Sequence, residues 1–193
     1  MALSDIISAI SLAVSLIVAY KSSLSRFSGK VWAATRFVLA HFDTIPCIGL
    51  ACFFENIGAR PGNLDDLRLI VTHEKTQTTC KFYPQLLRND YSLYASYKDS
   101  DWFPFAGMPL PPNQRIERYI IFKPLDDAFT AKPGLYKVTL QHRWYGSKKW
   151  LNNTPTMRFE LSEQIARQWN NPEEPAVQVL TKHTLDHRDE AGI

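Results

Sequence analysis

LYKVTLQHRW, residues 135–144, sets Tyr136, Val138, Leu140, His142 and Trp144 on one side of an extended chain and Lys137, Thr139, Gln141 and Arg143 on the other. Successive strand side chains point to opposite faces, so this period of two predicts an antiparallel strand with one buried face and one wet face. Just upstream, Lys132-Pro133-Gly134 turns the chain sharply into the strand. The aromatic at the entrance, Tyr136, is placed to close a tyrosine corner. Just downstream, Trp144-Tyr145-Gly146-Ser147-Lys148-Lys149-Trp150 reads as a hairpin tip.

The same alternation recurs at 35–42, 48–56, 66–73, 78–83, 115–122 and 156–161, which makes about seven strands. Between two of them, Asn56-Ile57-Gly58-Ala59-Arg60-Pro61-Gly62-Asn63 supplies glycines and a proline, the chemistry of a loop. Short strands punctuated in this way favour a sandwich or barrel. After the last strand, Ser162 caps a short helix whose Ile165 and Trp169, four apart, face the same way and can close the bottom of the domain. Asn171-Pro172 ends it, and the acidic remainder reads as a flexible tail.

FENIGARPG, LDDLRLIV, IERYIIFKP and PGLYKVTLQHRW together resemble the turn and strand pattern of bacterial immunoglobulin-like domains over residues 36–161. The resemblance implies a mainly β, antiparallel immunoglobulin-like β-sandwich that binds rather than catalyses. The 84–112 insert is longer than an ordinary hairpin connection and departs from that pattern. The whole layout, one hydrophobic helix followed by one such domain, also resembles short bacterial membrane-associated proteins.

At the other end, IISAISLAVSLIVAY, residues 6–20, carries no charge, glycine or proline and reads as a hydrophobic helix. Three readings stand: a short membrane span, a helix lying on a membrane surface or in a partner's groove, and a cleaved signal peptide. Ser4, Ser8, Ser11 and Ser15 share a narrow arc, a small polar stripe suited to helix association. Lys21, Arg26 and Lys30 follow the helix while Asp5 precedes it, so a span would leave the globular domain in the cytoplasm at the inner membrane. The organisation expected is a membrane-anchor helix over 1–27, a linker over 28–34, the sandwich over 35–169 and the tail over 170–193.

The 193 residues carry a net charge of +3, too small and too dispersed for a nucleic-acid binder. Cys47, Cys52 and Cys80 are an odd number, which suits free thiols in a reducing compartment. Cys47 and Cys52, five apart on one strand, point to opposite faces and cannot share a metal. No cofactor-binding motif, phosphate loop or nucleophile–base pattern occurs, and Asp65-Asp66 and Asp126-Asp127 are adjacent pairs that split across a strand. His183 and His187 have helical ligand spacing but sit in the acidic tail. His73 and His142 read as structural.

Two surfaces stand out as candidates for interaction. One is the hairpin tip, with Arg143, Trp144, Lys148, Lys149 and Trp150, where bases and aromatics can hold an anion. The other is the aromatic insert, with Tyr94, Tyr97, Trp102 and Phe103. The sequence therefore predicts a non-enzymatic, membrane-associated interaction or scaffold protein that binds another protein or itself. The alternative is a ligand-responsive sensor or effector of a bacterial stress or phage-defence system that takes a small anionic ligand.

Overall fold

The computed structural model describes residues 3–20, 25–88, 102–126, 129–152 and 156–184. Helix α1 (Leu3–Ala19) comes first, followed by β1 (Gly29–Phe42), β2 (Ile45–Asn56), β3 (Gly62–His73) and β4 (Thr79–Arg88). Next come β5 (Phe103–Pro104), β6 (Met108–Leu110), β7 (Gln114–Pro124), β8 (Gly134–Trp144), β9 (Leu151–Asn152) and β10 (Thr156–Leu161). Helix α2 (Glu163–Asn170), β11 (Val177–Leu180) and β12 (Lys182–Thr184) complete the described residues.

All twelve strands join one antiparallel sheet whose main order is β11-β1-β2-β7-β4-β3-β8-β10-β12. This corrects the expected seven-stranded immunoglobulin-like sandwich. The first half of β4 pairs with β3, Phe82 opposite Leu69, and its second half pairs with β7, Leu87 opposite Ile120. A strand shared in this way makes the two faces of the core one hydrogen-bonded surface, curled into a half-barrel. The two pairings overlap at Phe82, which stands opposite both Leu69 and Pro124, and a register shift within the β4–β7 pairing follows between Pro84 and Leu86, where proline has no N–H to give to a regular ladder.

The expected linker and tail are corrected as well. Residues 29–34 belong to β1, with Lys30 opposite Glu55 on β2. The last segment is a strand that changes partner at one residue: β11 pairs with β1 and β12 with β10, the two edges of the rest of the sheet. Between them, both the backbone N–H and the hydroxyl of Thr181 donate to Thr35 O, at 2.7 and 2.8 Å. Thr35 lies where the β1–β2 register shifts between Ala33 and Phe37.

Inside the curl, alternate residues of β2, β3, β7 and β8 form the main core together with Phe82 of β4, and Leu50, Leu67, Leu69, Phe82 and Phe122 are fully buried. Helix α2 plugs one end as expected. Ser162 Oγ accepts from Ile165 N at 3.2 Å, and Trp169, 1% exposed, donates its indole N–H to Cys47 O at 3.1 Å. His41 Nε2 donates in turn to Trp169 O at 2.7 Å, tying β1 to the helix. The Tyr136 hydroxyl donates to Lys132 O at 2.9 Å and accepts from Lys132 N at 3.0 Å, closing the corner read from the sequence.

The membrane span is the remaining correction. Helix α1 has 17 residues, so at about 1.5 Å per residue it is shorter than the roughly 30 Å hydrocarbon layer. No helix among the described residues is long and apolar enough to cross a membrane.

Candidate functional site

The hairpin tip does not form one continuous surface. Trp144 lies on the inner side of β8, edge-on to Phe27 at 4.8 Å and to His142 at 5.0 Å, and packs against the main core. Trp150 lies beneath the guanidinium groups of Arg68 and Arg143, 3.9 and 5.1 Å from its ring. Arg143 is neutralised by the adjacent acids of β3, with Nε and Nη2 at 2.8 and 2.7 Å from Asp65 Oδ2 and Nη2 at 3.6 Å from Asp66. Lys148 and Lys149 remain exposed beside the turn, where Gly146 takes a φ of +78°.

The aromatic insert is divided too. Tyr94 and Tyr97 fall outside the described residues, as does His187. Trp102 is half-buried against an apolar cluster on the outer side of β2 and β7, 6.0 Å from Tyr119 and 5.4 Å from the Arg88 guanidinium. Tyr119 in turn lies over Gly49, where a Cβ would run into its ring. Phe103, 50% exposed, is left on the surface. Trp102 therefore covers the sheet, while Phe103 does not.

The cysteines separate as their spacing requires. Cys52 is in the main core and Cys47 in the outer cluster, and burial pushes both thiols up, Cys47 to about 12. Cys80 is half-buried, its pKa raised by burial and by the Asp126 carboxylate. Among the described residues no group of His, Cys, Asp and Glu could hold a metal ion.

Two further features bear on function. The first is the isolation of α1: nine large apolar side chains between Ile6 and Tyr20 are 47–63% exposed. Ser8, Ser11 and Ser15 are exposed with them, and Ser15 Oγ donates to Ser11 O at 2.8 Å; Ser4 sits in the first turn. The helix is held to the domain beyond its end, where Ser25 Oγ accepts from Ala59 N at 2.8 Å and Phe27 lies over Gly62.

The second is a cavity of about 390 Å³ between the β3–β4 turn and the β7–β8 connection. Val71, Phe129 and Tyr136 give it apolar walls, Thr76, Thr78 and Thr130 contribute polar ones, and Cys80 opens onto it. His73 holds the two sides together: Nδ1 accepts from Thr76 N at 3.2 Å, and Nε2 donates to Pro133 O at 3.1 Å. That close approach needs Gly134, whose φ is +139° and where a Cβ would stand 2.6 Å from His73 Nε2. The only hint in the sequence was Lys132-Pro133-Gly134, read for its turn.

No family model and no curated protein matches the chain. Among solved structures, it is similar to a family 123 glycoside hydrolase from Clostridium perfringens studied for glycolipid glycan hydrolysis, at 12% identity and a TM-score of 0.38. The match covers 71% of this chain and 27% of that one, and a likeness of this size assigns neither fold nor activity.

Proposed function

We propose that the protein is a non-catalytic scaffold whose copies associate through α1, with the half-barrel carried as the presented domain. The observation that carries this reading is the exposed apolar surface of α1, which the other described residues leave uncovered. A helix that is apolar around most of its circumference is stable in water only when something buries it. Other copies of the helix, packed around it, supply the same need, and the serine arc gives the side of closest approach, since small residues let helix backbones come near one another. Burying that arc carries little polar cost where Ser15 already bonds to its own helix. Three free thiols, two of them deeply buried, fit a reducing compartment such as the cytoplasm.

The choice of face is tested by cysteine cross-linking in the full chain. Ser11→Cys should give disulfide-linked pairs under mild oxidation at least several times faster than Ile17→Cys, which lies on the opposite side of the helix. The unaltered chain is the control for Cys80. Equal rates, or no pairs from Ser11→Cys, would contradict association through the serine arc.

A further inference from the structure

We propose that the cavity between the β3–β4 turn and the β7–β8 connection is a binding site for a small, uncharged, mainly apolar molecule bearing a hydroxyl or similar hydrogen-bonding group. Packed protein interiors hold few voids larger than a water molecule, and about 390 Å³ is instead the size of a small-molecule site. The walls are of the matching kind, with Val71, Phe129 and Tyr136 to receive an apolar body and threonine side chains that both donate and accept.

The site is also pre-shaped. One wall is fixed by the double hydrogen bond between Tyr136 and the backbone of Lys132, the other by the contacts of His73 with Thr76 and Pro133. These bonds commit both His73 ring nitrogens, so the imidazole acts as a strut between the two sides. The lining carries charges of both signs, Asp126 against Lys81 and Lys132, which disfavours a strongly charged guest. This places a ligand away from the basic hairpin tip, and its chemistry differs from the anion expected there.

Cys80 is a built-in reporter, because it lines the cavity while Cys47 and Cys52 are fully buried. The probe pair is 2-naphthalenemethanol and 2-naphthoate, which share a ring system and differ in charge. With the full chain, 2-naphthalenemethanol should slow alkylation of Cys80 by iodoacetamide in a saturable way, at least fivefold, while 2-naphthoate slows it less than twofold. Thr78→Trp, at an exposed position on the rim, should abolish the saturable effect. Absence of protection by the alcohol, or equal protection by the carboxylate, would overturn the proposal. Both of those outcomes are read on the unaltered chain, so they stand even if the variant fails to fold.

Discussion

His142 shows how one side chain can set the acid limit of this fold. It faces inward on β8, 6% exposed, and its Nδ1 makes no hydrogen bond among the described residues. Burial lowers its pKa from 6.5 to about 4, since the imidazolium would lose its hydration there. The unfolded chain therefore takes up a proton near pH 6.5 that the folded chain refuses until about pH 4. Its contribution is full above pH 6.5 and is lost as the pH falls towards 4, at most tenfold in the unfolding constant per pH unit. Urea unfolding of the chain and of His142→Leu at pH 7 and pH 4.5 should show the variant gaining on the parent at the lower pH. An unchanged difference between them would contradict this role. His142 was legible as an inward residue from alternation alone, whereas its missing partner depends on what β3 and β9 bring beside it.

Among the elements, the last strand departs furthest from what its residues announce. VQVLTKHT is short, flanked by acids, and reads as tail, yet Val179 is buried opposite Phe37 and Thr181 bonds to Thr35. Val179→Asp would place a carboxylate in that apolar contact and should cost about 3 kcal/mol of stability, while Gln178→Asp, exposed on the same strand, should cost less than about 0.5 kcal/mol. Equal and negligible changes in urea unfolding would return the segment to a flexible tail. The alternation of β3, β7 and β8 was readable because each buries one face, and Ser162 with Trp169 announced α2. Partner choice was not readable, because a period of two says which side chains are buried and nothing about which neighbour accepts the backbone hydrogen bonds. The changes of partner at Phe82 and Thr181 are what turn an expected sandwich into a single curled sheet. The β1–β2 turn was hidden for a related reason: Asp43 and Thr44 take φ of +50° and +79° without the glycine that usually marks such a turn.

At the scale of the whole molecule, two parts of opposite character are joined through Ser25 and Phe27. The half-barrel buries its apolar side chains around one core plugged by Trp169, whereas α1 exposes nearly everything it has. The sequence announced the apolar character of α1 but not the company it keeps, because hydropathy alone does not separate a helix covered by lipid from one covered by protein. Its 17-residue length sets aside a span, and in the proposed scaffold other copies of the chain cover it. The hairpin tip illustrates the reverse case, where residues that look like a basic surface are spent internally, Arg143 on Asp65 and Trp144 on the core.

The most direct test is the mass of the full chain in solution by light scattering, beside that of Leu12→Lys/Leu16→Lys, which charges the apolar face of α1 without touching the half-barrel. The scaffold reading predicts a discrete oligomer for the unaltered chain and a monomer with unchanged circular dichroism for the variant. A monomeric parent, a polydisperse one, or an oligomer that survives both lysines would contradict it.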